Sequence, residues 1–178
     1  MDRETKFSEI KRAYKLQESE LLGEGKNLFW NTEKGIFGTS SMDSVFALFK
    51  EIKLDGYKRF LDLGCGDGRV ALIASLFTET VGIEYDEKLV KTAEKIKDRL
   101  GLTCEFVVGD YMEHDISQYD IVFINPDKGF LWGLDNKLSA ELRGELYVYN
   151  EVFAPAALKK GKKFWYGGAM PIVKYTNE

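Results

Sequence analysis

Three short segments of this chain carry residue types that can hold a nucleotide-like ligand. In the run FLDLGCGDGRVALIAS, Gly64, Gly66 and Gly68 follow an apolar stretch, so the backbone can approach a ligand with no side chain in the way. Glu84 ends the next apolar run, where doubly wound folds place an acid that accepts hydrogen bonds from ribose hydroxyls. Asp110 follows the third run in VVGDYM. Its carboxylate can accept from an adenine amino group while Tyr111 or Met112 packs on the ring. Each feature also has a plainer reading, as a tight turn, a surface carboxylate or a helix cap. Their order along the chain is what makes them one site. The turn reads GCGDG and lacks the GxGxxG spacing that prepares a helix for pyrophosphate, and the acids Asp62 and Asp67 repel phosphates, which disfavours a dinucleotide.

Such residues need a sheet to bring them together. Residues 59–63, 80–83, 103–108 and 120–125 read as strands, with helices over 69–77 and 87–100 between them, and this alternation predicts a parallel sheet with its ligand at the strand C-termini. Upstream, Phe7, Ile10, Tyr14, Leu21 and Leu22 recur near helical spacing over residues 3–22, with Gly23 and Gly25 after them. The stretch 26–41 mixes Gly, Asn, Thr and Ser with Phe29, Trp30, Ile36 and Phe37 and is expected to fold back over something. Ser41 or Asp43 caps a helix running through Ile52. Downstream, residues 136–158 read as mostly helical, broken by Gly144 and Pro155. A fifth strand is expected over 162–167 after a Lys-Lys-Gly turn, and a short edge strand over 171–175. The expected fold is therefore α/β, a doubly wound, mostly parallel sheet of five or six strands with helices on both faces. Residues 1–42 form a helical and loop extension, and 43–178 form the core of a single domain with a shortened C-terminus.

Composition narrows the function. With 25 basic against 29 acidic residues, the chain has no broad basic surface for structured nucleic acid. No apolar run approaches the roughly 20 residues that cross a bilayer, and the charged N-terminus is no signal peptide, so a cytoplasmic protein without a membrane partner is expected. Cys65 and Cys104 are read as small buried residues, and the single His114 as a polar loop residue.

With glycine turn, ribose acid and third-strand acid in this order, the chain resembles the class I, Rossmann-like S-adenosylmethionine-dependent methyltransferases from about residue 38 to residue 167. The distance from Ser40 to Asp62 is similar to that in the superfamily's protein lysine methyltransferases. The resemblance implies S-adenosyl-L-methionine as cofactor. Asp62 and the turn of Gly64, Cys65, Gly66 and Gly68 would lie at its methionine part, Glu84 at the ribose, and Asp110 with Tyr111 at the adenine. Thr39 and Ser40 resemble the hydroxyl pair that closes over the methionine carboxylate; helix capping is their other reading.

Asn125, in INPDKG, stands where such enzymes meet both cofactor and methyl acceptor. Asn125 and Pro126 match the Asn-Pro-Pro-aromatic motif of amino-group methyltransferases, while Asp127 and Lys128 depart from it. Metal-dependent O-methyltransferases have an acid at this position. Asn125 is a poor magnesium ligand and the pair Asp135–Asn136 comes too soon for their second motif, so no metal is expected. Asn125 and Asp127 are the expected catalytic residues, with Asp127 able to take a proton from an amine acceptor. Phe29, Trp30, Tyr111, Phe130 and Trp132 are candidates to hold a cationic amine, with core or lid packing as the plainer reading of most of them. The leading expectation is methylation of a protein lysine side chain. Small-molecule or RNA-base methylation is the alternative, and a non-catalytic regulatory module that binds S-adenosylmethionine or a nucleotide is the alternative of another class. An exposed sheet edge is expected to allow a homodimer.

Overall fold

The structure is a computed structural model that describes residues 2–27, 30–31, 36–130, 133–167 and 170–177, with the strands at 30–31 and 36–37 described by backbone alone. Helix α1, Arg3–Gly23, begins at Asp2, whose side chain accepts from Thr5 N. Strands β1, Trp30–Asn31, and β2, Ile36–Phe37, pair with each other. Ser41 caps α2, Met42–Glu51, by accepting from Ser44 N, so Thr39 and Ser40 are left outside the helix. The alternating stretch then runs β3, Arg59–Leu63; α3, Arg69–Ala74; β4, Glu79–Glu84; α4, Glu87–Leu100; β5, Glu105–Val108; and β6, Ile121–Ile124. Helix α5, Leu134–Glu141, and strands β7, Glu145–Tyr149, β8, Lys159–Phe164, and β9, Ile172–Thr176, complete it.

The main sheet has seven strands in the order β5-β4-β3-β6-β7-β9-β8. Strands β3 to β7 pair in parallel, and β9 is antiparallel to both β7 and β8. Strand order reverses between β3 and β6, and such a switch point opens a crevice at the strand C-termini. The α/β, mostly parallel architecture is thus as expected, but the C-terminal third differs from the sequence reading. Residues 136–158 are not one broken helix: α5 stops at Glu141 and β7 follows, its alternating Leu146, Tyr147, Val148 and Tyr149 all buried between the two faces. The Lys-Lys-Gly segment is not a turn before a strand but the start of β8, with a register irregularity between Lys160 and Lys163. Strand β9 is not an edge strand, since it lies between β7 and β8. Residues 150–158 link β7 to the β8–β9 hairpin without a helix.

Side-chain alternation divides the core between the two faces. Phe60, Phe123 and Tyr147 pack with Phe7, Ile10 and Tyr14 of α1, Phe46 and Phe49 of α2, and the wholly buried α3. Leu61, Leu63, Val122, Ile124, Leu146 and Val148 point the other way, under Leu134 and Leu138 of α5 and the loop residues Ile116, Tyr119 and Leu158. Phe130 belongs to this second core, its packing reading rather than its amine-holding one; Phe29 and Trp132 lie outside the described residues.

Gly144, which reads in sequence as a helix break, is the entry to β7. A Cβ there would lie 1.9 Å from the backbone O of Asp120. That oxygen accepts from Glu145 N, and Asp120 N donates to Arg59 O, so the carbonyl cannot easily move. Gly144→Ala is therefore expected to cost about 1–3 kcal/mol, the usual range for overpacking. Urea unfolding measures it; an unchanged midpoint would show that the strand entry yields.

Candidate functional site

The glycine turn between β3 and α3 is fixed from three sides. Gly68 has φ of 82°, and a Cβ on it would fall 2.5 Å from Ala93 Cβ and 2.8 Å from the Phe106 ring, so only glycine lets the turn sit this close to α4 and β5. Glu84 Oε2 accepts from Gly66 N at 2.9 Å, and Oε1 accepts from Asp86 N at 2.9 Å. An ionised carboxylate has about four acceptor sites, so Glu84 keeps capacity for hydroxyl donors after anchoring the turn.

The third side has no counterpart in the sequence reading. Arg69, only 6% exposed, bonds both carboxylate oxygens of Asp67, at 3.0 and 2.7 Å, and also pairs with Glu18 of α1 at 3.0 Å. Its guanidinium lies over the Tyr14 ring, and Tyr14 OH donates to Asp67 O at 2.7 Å. The helical period places Tyr14 on an apolar face, but nothing in the sequence points from Glu18 to Arg69. Asp67 is thus offset by a buried cation, and phosphate repulsion falls to the other acids of the site.

Asp62 sits on the same side of β3 as Phe60, 3% exposed, and its Oδ2 is buried without a hydrogen-bond partner. Burial first, then the charges of Glu84 and Asp67, push its pKa up to about 8 from the ordinary 3.8, while a bond from the Ala71 N–H acts in the opposite direction. Cys65 and Cys104 are buried, and burial pushes both thiols up, as suits small core residues rather than nucleophiles. His114 lies away from the cavity in a loop, its Nε2 2.9 Å from Tyr119 OH.

These elements enclose a cleft of about 380 Å³. Thr39, Ser40, Asp62, Gly64, Cys65, Gly66, Glu84, Asp110, Tyr111, Asn125 and Asp127 all line it. Gly68 is the exception among the expected residues, since it packs behind the turn rather than facing the cleft. Arg69, Tyr85, Leu89 and Leu134 also line the cleft, although no sequence signal sets them apart from core and surface positions. Asp110 caps the short helical turn Tyr111–Glu113 by accepting from Met112 N at 2.9 Å, so the cap reading and the ligand reading hold together. Across the cleft, Asn125 Nδ2 donates to Ser40 Oγ at 3.1 Å. Ser40 therefore joins the two walls of the cleft and does not cap α2. Asp135 accepts from Ala156 N at 3.1 Å and does not line the cleft. No group of three or more His, Cys, Asp and Glu residues among the described ones could hold a metal ion, and no described helix is long and apolar enough to cross a membrane.

Solved structures share this architecture. An RNA methyltransferase from Salinibacter ruber, in complex with S-adenosyl-L-homocysteine, superposes with a TM-score of 0.65 at 23% identity, covering 78% of this chain and 92% of its own. A TehB-like SAM-dependent methyltransferase from Corynebacterium glutamicum gives a TM-score of 0.59 at 17% identity, with coverage of 94% and 97%. No curated protein matches the chain. The sequence profile described as "Methyltransferase domain" matches residues 54–160, the stretch from just before β3 into β8 that holds the glycine turn, Glu84, Asp110 and Asn125. The chain belongs to the methyltransferase domain family.

Proposed function

We propose that this protein transfers the methyl group of S-adenosylmethionine to a nitrogen, that of a protein lysine side chain. The observation that carries the cofactor assignment is the orphaned, buried Oδ2 of Asp62 in the wall of the cleft. A buried acceptor without a donor is costly, and an ammonium group such as that of a methionine moiety both supplies the donor and favours the ionised acid. Glu84 has acceptor capacity for ribose hydroxyls, and Asp110 and Tyr111 stand at the adenine end. When bound, S-adenosylmethionine supplies a methyl group on a sulfonium leaving group.

The acceptor side rests on Asn125. With Nδ2 donating to Ser40, its Oδ1 is the atom that accepts from an acceptor N–H and so aims the nitrogen lone pair. An amine must first lose a proton, and the exposed carboxylate of Asp127 takes it and passes it to solvent. Two features support a cationic group on a protein. Glu84, Asp110 and Asp127 outnumber Arg69 and Lys128 in the cleft wall, with Arg69 already paired to Asp67, an excess that draws cations and disfavours phosphates. Val152, Trp165 and Met170 are exposed just beyond β7, just beyond β8 and just before β9, all at the sheet edge that bears Asn125. An apolar rim of that kind suits a protein surface more than a small metabolite.

The test is incubation with S-adenosylmethionine carrying a labelled methyl and a cell lysate, followed by separation of protein, RNA and small molecules. Label in lysine of a protein is expected; label in RNA or in small molecules would overturn the acceptor assignment and leave the cofactor assignment standing. In the same assay Asn125→Ala and Asp127→Ala should each slow single-turnover transfer by at least about ten-fold, a size typical of misplaced reacting groups. S-adenosylhomocysteine affinity should change far less. Equal turnover in both variants would remove this segment from the chemistry.

A further inference from the structure

The end of β7 holds both walls of the cleft, and we infer that Asn150 is a positioning residue for methyl transfer, setting the acceptor segment Asn125–Asp127 against the cofactor wall. This inference rests on the acceptor role proposed above for that segment. Asn150 is 6% exposed and has φ of 146°, one of two positive values outside glycine among the described residues. A non-glycine residue held there, buried and bonded to the cleft residue Pro126, is the kind of outlier from which function is inferred.

Its side chain spends every polar atom. Oδ1 accepts from Val152 N and Phe153 N, both at 3.0 Å, which shapes the helix-free link to β8. Nδ2 donates to Pro126 O at 3.3 Å, reaching across from β7 to the loop after β6. One residue earlier, Tyr149 OH accepts from Ser41 N at 3.0 Å. Ser40 in turn accepts from Asn125. These bonds close a ring: Tyr149 holds the Ser40–Ser41 segment, Ser40 holds Asn125, and Pro126 is held by Asn150, the covalent neighbour of Tyr149. Shifting the Pro126 peptide therefore moves Asn125 relative to Ser40, and with it the acceptor nitrogen relative to the methyl group.

Two substitutions separate this role from that of a mere turn. Asn150→Gly accepts the positive φ without strain but loses every side-chain bond. Asn150→Asp retains acceptors for Val152 N and Phe153 N and loses only the donor to Pro126 O. Both should keep S-adenosylhomocysteine affinity close to that of the parent, slow single-turnover transfer to lysate protein on the order of ten-fold, and raise amide hydrogen exchange over residues 127–130. Saturating acceptor should not restore the rate, so the loss falls on kcat rather than KM. The inference is overturned if Asn150→Asp transfers methyl groups like the parent while Asn150→Gly does not, because the turn alone would then matter. It is also overturned if both variants keep the parent rate and exchange pattern. If Asn125→Ala itself leaves turnover intact, the acceptor assignment fails first and the positioning role falls with it. If Asn125→Ala slows turnover and neither Asn150 variant does, only the positioning role fails.

Discussion

Replacing Asp62 by asparagine should stabilise the protein at alkaline pH and cost it most of its cofactor affinity. The folded chain holds the Asp62 proton up to about pH 8, whereas the unfolded chain releases it near the ordinary 3.8. Between these values the unfolded state binds fewer protons, so stability falls as pH rises, by on the order of 5 kcal/mol over the whole window at about 1.4 kcal/mol per pH unit. For a chain of this size that is a drop in thermal midpoint of roughly 10 °C between about pH 5.5 and pH 8. A carboxamide does not titrate, so the Asp62→Asn midpoint should lack this component and lie above the parent's at pH 8. The variant's S-adenosylhomocysteine affinity should fall about ten- to a hundred-fold, the 1.5–3 kcal/mol of a hydrogen bond to a charged group. Parallel pH profiles of the two midpoints would sink the titration argument, and parent-like affinity would remove Asp62 from the binding site.

A second large effect is expected at Glu84, because its carboxylate serves the turn and the ligand together. Glu84→Ala deprives Gly66 N and Asp86 N of their acceptor and removes the group assigned to the ribose. Affinity for S-adenosylhomocysteine should fall on the order of a hundred-fold or more, since charged acceptors contribute about 1.5–3 kcal/mol per bond. The same substitution removes the negative charge that, after burial, does most to raise the Asp62 pKa, so the pH window over which stability is lost should end at lower pH. Calorimetry and pH-dependent melting on one sample report both effects. Tight binding by a folded Glu84→Ala variant would show that the ribose is held elsewhere.

The parts of the site that were legible in the sequence are those whose chemistry is local. A glycine turn between two apolar runs, and acids that end strands, declare themselves within a few residues, and Asp62, Glu84, Asp110 and Asn125 do come together in one cleft. What stayed hidden depends on distant partners. Gly144 looks like a helix break until Asp120 O is seen beside it. Gly161 looks like a turn, but it belongs to β8, where a Cβ would lie 3.3 Å from Lys174 O. With those two glycines misread, β7 is absorbed into a helix and the hairpin's first strand, expected over 162–167, is set three residues late. The strand count of seven, against the five or six expected, follows from the unread β7. Arg69 shows the same limit, since its acid partner Asp67 is two residues away whereas Glu18 is on a helix made long before.

Helix α1 reads in sequence as an extension, yet its contacts are with segments far downstream. Arg3 Nε donates to Leu76 O across 73 residues, Lys6 Nζ to Leu100 O across 94, and Tyr14 OH to Asp67 O across 53. Contacts of such range form slowly, because the intervening loop must close before they contribute. On the ribosome, where chains grow at about 5–20 residues per second, α1 is made before α2, α3 and α4, and its packing surface is complete only when all three have followed. The glycine turn is braced as soon as Asp67 and Arg69 reach Tyr14 and Glu18, so a helix made before the sheet waits for the sheet's first turn and completes the cofactor wall.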